Sequence, residues 1–249
     1  MSVTTSPRPS YDEQVAPAPI SQADLVQLPD LSSYGDVEVL QEPRVREVPD
    51  AATAEEVTGL PAPAVAPLPR GVTGEPRYQV GEQVSAEFTF SVAEAEDAAA
   101  AAGETLPPPP PGLDGNRFRL DAGPGVAAVW AGSSGAPALV VGRAVAPTGY
   151  SSGVPFETAR DYLLSLPGLP EDVAAQLRGF SGDGTTLPLP VPAEMVASDS
   201  AEVQGAPATI LTSRDGTMVA VVWVRDGVVT AVAGSVSTDE VLAVARGLR

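Results

Sequence analysis

The stretch Gly216–Arg249, GTMVAVVWVRDGVVTAVAGSVSTDEVLAVARGLR, restricts the fold more than any other part of the chain. Two apolar, β-branched runs, Met218–Val224 and Val228–Ala233, flank Asp226-Gly227. That dipeptide suits a two-residue primed hairpin turn, which needs positive φ at both central positions. Asp215-Gly216 offers a second turn of the same kind upstream. Ser237-Thr238-Asp239-Glu240 then follows the capping-box pattern, and Val241, Val244, Ala245 and Leu248 recur at helical spacing. A helix this short is marginal alone in water, so it must bury that stripe. The sheet face carrying Met218, Ala220, Val222 and Val224 is its expected seat. The unit specified is a hairpin closed by a helix docked on one sheet face.

Similar punctuation divides the rest of the chain. Arg117–Asp121, Val126–Trp130 and Ala138–Val145 read as strands separated by Gly-Pro-Gly and Gly-Ser-Ser-Gly, turns short enough to make neighbours antiparallel. Tyr78–Val80 and Val84–Phe90 read as a hairpin about Gly81-Glu82. Asp36–Val48 alternates as an exposed strand broken at Pro43, and Glu13–Ser21 is an edge strand whose Pro17 and Pro19 limit pairing to one side. Leu187–Leu189, Ala201–Val203 and Ala208–Leu211 extend the C-terminal meander.

Helix signals are local and short. Asp50 caps one helix that Gly59 stops, and Ala93–Glu104 forms another that Gly103 stops. A third follows Pro155, with Phe156, Ala159, Leu163 and Leu166 on one face; a fourth opens at Pro170, buries Val173 and Leu177, and stops at Gly179. Ser21 caps a further turn of helix that ends near Pro29. Leu60–Gly74 and Pro107–Pro111 are proline-rich extended connectors.

Strands in runs, with helices clustered between them, predict an α+β fold. Its antiparallel sheets are expected to be curved or half-barrel-like, with short helices packed on one face and a C-terminal helix closing the fold. Residues 1–10 read as a disordered tail, 11–146 as an N-terminal antiparallel α+β domain, and 147–249 as a helix pair, β-meander and terminal helix. One continuous domain over 11–249 is the alternative division.

Composition narrows the chemistry. Hydrophobic residues make up 43% of the 249, but aromatics only 5%, so Val, Ala and Leu must build the core. The formal net charge of −18 argues against nucleic acid and against an anionic membrane surface. All 14 cationic side chains are Arg, and Cys and His are absent. Disulfides, thiolate chemistry, the commonest general base and the commonest transition-metal ligands are therefore missing together. The expectation is a protein with no catalytic residue, no metal and no cofactor. No run of about 18–20 apolar residues could cross a bilayer. MSVTTSPRPSYDEQ lacks a signal peptide's basic and apolar regions, which taken literally implies the cytoplasm.

Other motifs read as structural. Asp183 in SGDGTT lacks the later ligands of a calcium loop, and the Gly-rich turns lack the Lys and strand–loop–helix context of a phosphate cradle. Glu55-Glu56 and Glu171-Asp172 complement helix dipoles at helix starts. Trp130 and Trp223 are the candidate ligand- or partner-binding residues. Each is either core packing or the lining of a groove under the sheet that takes an apolar ligand or partner segment.

Four segments together carry a resemblance: EQVAPAPISQADLVQLPDLSSYGDV, AEEVTGLPAPAVAPLPRGVTGEPRYQVG, GRAVAPTGYSSGVPFETARDYLLSLPGLPEDVAAQLR, and GTMVAVVWVRDGVVTAVAGSVSTDEVLAVARGL. From about Glu13 onward the chain resembles the extracytoplasmic part of actinobacterial single-pass membrane proteins of the anti-sigma-factor-like or zinc-finger-headed kind. The pattern W-x-x-D-G-V-V…V-A-G…E-V-L-A-V-A carries it most specifically. More distantly, the chain is similar to periplasmic regulators built on the lipoprotein-carrier half-barrel. A monomer is expected, and the resemblance implies a non-enzymatic sensory or regulatory domain outside the membrane, anchored through a segment before Met1, that binds an envelope signal or protein partner. The alternative it implies is a carrier for an apolar envelope ligand such as a lipid or lipoprotein. It carries over no catalytic residue, and without Cys or His no sigma-binding zinc motif can be placed here.

Overall fold

The computed structural model describes residues 13–20, 31–132, 137–166, 178, 186–192 and 194–248. The expected tail at Met1–Ser10, the helical turn after Ser21, the helix after Pro170 and the Asp183 loop lie outside the described residues, apart from Arg178.

Four long strands, each interrupted near its middle, organise the N-terminal two thirds. β2 (Gly35–Gln41) leads into β3 (Val45–Val48), and β4 (Arg77–Gly81) into β5 (Val84–Phe90). β6 (Arg117–Ala122) leads into β7 (Gly125–Ala131), and β8 (Pro137–Val145) into β9 (Thr148–Ser151). On one side of the interruptions the order is β2-β5-β6-β9, forming a four-stranded sheet; on the other it is β3-β4-β7-β8, half of an eight-stranded sheet. Three of the four breaks contain a proline, Pro43, Pro124 or Pro147, whose missing N–H ends a ladder. Backbone bonds staple neighbouring breaks: Glu82 N–H donates to Arg44 O (3.0 Å), and Gly123 N–H to Val145 O (3.2 Å).

Two expected hairpins are therefore corrected. β4 pairs with β3 and β7, not with β5, and β6 pairs with β5 and β9, not with β7. Gly81 does not adopt positive φ, so the chain runs on extended where a primed turn would reverse it. Gly123 does have positive φ (76°), but Pro124 follows it and redirects the strand into the second sheet. The β7–β8 pair is antiparallel as expected.

The other half of the large sheet is the C-terminal meander: β11 (Val196–Val203), β12 (Ala206–Ser213), β13 (Val219–Arg225) and β14 (Val228–Gly234), with β14 paired to β8. The eight-stranded sheet thus draws strands from both sides of residue 146. Asp226 and Gly227 have φ of 52° and 72°, the primed turn that the sequence predicts, between paired Arg225 and Val228. Gln204-Gly205 makes the same turn (52° and 83°), a hairpin the sequence analysis does not identify. Asp215-Gly216 closes a longer loop in which Asp215 accepts hydrogen bonds from Ser213 Oγ and Thr217 N and Oγ1. The Leu187–Leu189 strand is not part of this meander. It belongs to β10 (Thr186–Pro192), which pairs in parallel with β1 (Gln14–Ile20) as a separate two-stranded ribbon. Pro17 and Pro19 in β1, and Pro188, Pro190 and Pro192 in β10, remove donors along one edge of each strand, so the ribbon stops at two.

Helices form where their caps predict. α1 (Ala51–Thr58) starts at Asp50, whose Oδ1 accepts from Thr53 N (2.8 Å), and ends at left-handed Gly59. α2 (Val92–Ala102) runs from Ser91 to left-handed Gly103, and α3 (Phe156–Leu163) follows Pro155. α4 (Thr238–Gly247) begins with the complete Ser237/Glu240 capping box and buries Val241, Val244 and Ala245. Gln204 Nε2 donates to the Arg246 carbonyl (3.3 Å), so the unexpected hairpin tip holds the helix's C-terminal end.

The seat of α4 is the second correction. It packs on the face bearing Val219, Val221 and Trp223, not the one bearing Ala220, Val222 and Val224. β13 is apolar on both faces because both are covered, and alternation cannot choose between them. The opposite face buries Val222 and Val224 beneath Val15 of β1, where Thr209 Oγ1 donates to Val15 O (2.9 Å). The proline-rich connector contributes Val65, Leu68 and Val72 to the α4 side. A separate core of Phe88, Phe90, Leu113 and Tyr162 joins the four-stranded sheet to α2 and α3.

Candidate functional site

Trp130 and Trp223 lie on the same face of the large sheet, in β7 and β13, and are 2% and 3% exposed. Both belong to the core beneath α4, with Leu139, Val221 and Val232 among its members. Neither indole offers surface to a ligand in this conformation. Their place in the core follows from strand parity: cross-strand pairs link Trp130 to Leu139 and Trp223 to Thr230, all turned toward the helix side.

An open concave feature lies on the other face. A shallow hollow of about 330 Å³ is floored by Gly81, Gly125, Ala127, Gly142, Ala144 and Ala231, with Val45, Gln79 and Val229 also lining it. At these six floor positions strands β4, β7, β8 and β14 carry only Gly or Ala, so their backbone forms a bare shelf. It adjoins the β1 ribbon, because Val229 and Ala231 also pack against the Val15–Val222–Val224 cluster. Gly125 has a local reason to be glycine, since an added Cβ would meet Ala144 Cβ and Arg143 O at 3.2 Å. Gly81 and Gly142 have none: neither has positive φ, and a Cβ would find its nearest neighbours at 3.9 Å and 3.8 Å. Glycine inside a strand weakens it, and often marks a place where a ligand or another backbone approaches closely. That was the signal available in the sequence, in VVGRAV and YQVGEQV.

Ionisable groups with displaced pKa values have structural causes, and of them only Arg143 is among the residues lining this hollow. The Ser85 hydroxyl beside Asp121 lowers its carboxyl, aided by Arg119. Thr53 at the α1 cap lowers Asp50, Ser213 lowers Asp215 in its loop, and the Ser237 hydroxyl lowers Glu240 in the capping box. Burial raises Tyr34, Tyr78 and Tyr162. Burial likewise lowers Arg143, whose Nη1 donates to Pro61 O (3.0 Å). None of these carboxylates is raised toward neutrality, as a general acid would need. The hollow at the start of α4, about 860 Å³ with Arg70, Thr217, Ser237 and Glu240 among its lining, is polar, and its groups bond one another: Glu240 accepts from Ser237 and from Arg70 N. Among the described residues, no cluster of three or more Asp, Glu, His or Cys could hold a metal, and no helix is long and apolar enough to cross a membrane.

Comparison of the chain with family models, with curated proteins and with solved structures finds no match. What the residues define is an α+β protein with two large antiparallel sheets, not closed into a barrel, one of them carrying an open apolar shelf.

Proposed function

We propose that this is a non-enzymatic binding domain of a sensory or regulatory protein, and that its shelf seats an extended segment of a protein partner. The observation that carries the reading is the bare floor at Gly81 and Gly142, where φ is not positive and an added Cβ would meet nothing closer than 3.8 Å. An extended segment is the occupant because β1, an extended strand rich in Ala and Pro, already lies along the adjoining part of the same face. Placement outside the cytoplasm, anchored to the membrane in an anti-sigma-like regulator, rests on the family resemblance. A membrane-spanning helix joined upstream in the complete gene product supports that placement; a catalytic domain joined there removes it.

A mostly apolar lining, with Gln79 and Arg143 its polar residues, also favours a second reading, a carrier for an acyl chain. Two fluorescent probes separate the readings: a labelled Ala-Pro-Ala-Pro-Ala-Pro peptide and a fluorescent fatty acid, each titrated into the intact chain and into Gly142→Val. The peptide should bind, and Gly142→Val should weaken it by at least about tenfold, or 1.4 kcal/mol. Tight binding of the fatty acid with none of the peptide selects the carrier. Binding of neither, or indifference of both to Gly142→Val, removes the shelf as a site.

A further inference from the structure

The four-stranded sheet ends in an edge that differs from the shelf in position and in chemistry. β2 is its outermost strand, and from Asp36 to Gln41 every residue is exposed. Val37 and Val39 are 50% and 56% exposed, although both stand on the face that buries Phe88. The apolar surface continues inward from Val39 through its partner Ala86 to Leu120, itself 47% exposed. The cover from α2 and α3 is at the Phe88–Phe90 end of this face, leaving the other end open. On the opposite face of β2 stand Asp36 and Glu38, and neither is in an ion pair among the described residues. Glu38 lies directly opposite Glu87, a like-charge pairing that costs stability and that Arg117 offsets only from 3.6 Å.

An exposed edge strand presents unpaired N–H and C=O groups to any extended chain, and proteins usually blunt such edges. A bulge between Val39 and Gln41, followed by Pro43, limits this one to a window of Gly35–Val39. Charge blunts it selectively. In any antiparallel pairing of two β2 strands with matched faces, Asp36 and Glu38 of one copy meet Asp36 and Glu38 of the other. A second copy is therefore repelled, whereas a strand alternating apolar and basic residues meets Val37 and Val39 on one face and both acids on the other.

We propose that β2 is a β-augmentation site for an extended protein segment in which apolar residues alternate with Lys or Arg. The site uses none of the shelf residues and stands whether or not the shelf binds anything. The incoming strand becomes the fifth of the small sheet, covers Val37 and Val39, and supplies a cation to Glu38, which is in no ion pair among the described residues.

The test uses the intact chain and two synthetic peptides, acetyl-Thr-Lys-Val-Lys-Val-Thr-amide and its Glu-for-Lys counterpart. Amide NMR shifts locate binding and anisotropy measures it. The basic peptide should perturb residues 35–41, bind more weakly as salt rises, and lose at least about tenfold in affinity to Asp36→Lys/Glu38→Lys. That double variant, altered only at exposed positions and relieved of the Glu38–Glu87 repulsion, should melt no lower than the intact chain and gain affinity for the acidic peptide. Equal binding of both peptides, no binding of the basic one, or shifts confined to Gly142 and Ala144 overturns the proposal. Loss on Gly142→Val with no loss on charge reversal does the same, and leaves the shelf reading standing.

Discussion

The C-terminal meander and the four interrupted strands are built from the same vocabulary of apolar runs punctuated by Gly and Pro, yet the same kind of punctuation reverses the chain at some places and carries it into another sheet at others. At Asp226-Gly227 and Gln204-Gly205 both residues adopt positive φ, the chain reverses, and sequential strands pair. At Gly81-Glu82 and Gly123-Pro124 the chain passes into another sheet, and sequential strands do not pair. The difference teaches that glycine alone does not signal reversal. A residue pair able to hold positive φ twice is a turn; a glycine followed by Glu or Pro is compatible with a break.

The largest effect should come from removing what closes the meander. Truncation after Gly234 uncovers Val221, Trp223 and Val232 and discards Val241 and Leu248, each worth on the order of 1.5–3 kcal/mol when buried. The truncated chain should aggregate or melt far below the intact one by calorimetry. A monomer with unchanged melting temperature would make α4 peripheral and dissolve the contrast between the two regions.

The interrupted region has its own keystone in Asn116, a residue that no local pattern identifies. Buried at the start of β6, it donates from Nδ2 to Ser151 Oγ (2.8 Å) and accepts at Oδ1 from Gly153 N and Ser152 Oγ. Asn116→Ala strands those groups and should cost about 1–3 kcal/mol in urea unfolding. A loss below a few tenths would show that the small sheet does not depend on this junction.

Glycine substitutions test the comparison most directly. Gly227→Val forces a β-branched residue to φ near 72° and should cost more than about 1 kcal/mol. Gly81→Ala places a Cβ no closer than 3.9 Å to its neighbours at a φ that is not positive, and should be neutral or stabilising by up to about 1 kcal/mol. Equal costs at the two positions, measured by chemical denaturation, would mean that Gly81 is also a turn.

The smallest effect is electrostatic. Asp50, Asp121, Asp215 and Glu240 have folded pKa values below their ordinary ones, so each contributes stability above its unfolded value that is lost as pH falls through the folded one. The acid limb of stability should therefore lie below about pH 4. Tyr34, Tyr78 and Tyr162 are raised; their contribution is present below their unfolded value and lost as pH rises through the folded one. Glu240→Gln should flatten the acid limb slightly while leaving the alkaline limb unchanged. An unaltered acid limb would mean that the capping box does not report folding.

Sequence alone determined whatever depends on a few consecutive residues. Ser237 and Glu240 satisfy each other's backbone groups, Asp50 caps α1, Gly59 and Gly103 end helices in the left-handed region, and Asp226-Gly227 reverses the chain. Each is settled by local φ, ψ and hydrogen bonds. The antiparallel α+β class follows, because short strands joined by such turns have few other ways to pair. Only the tertiary structure decided which face of β13 receives α4, since Val219 to Val224 is apolar on both sides and alternation is silent there. Burial of Trp130 and Trp223, the passage of four strands between two sheets, and the shelf over Gly81 and Gly142 were decided the same way. Each depends on which distant strand completes a ladder, and the free energy of that choice resides in pairs of residues far apart in the chain.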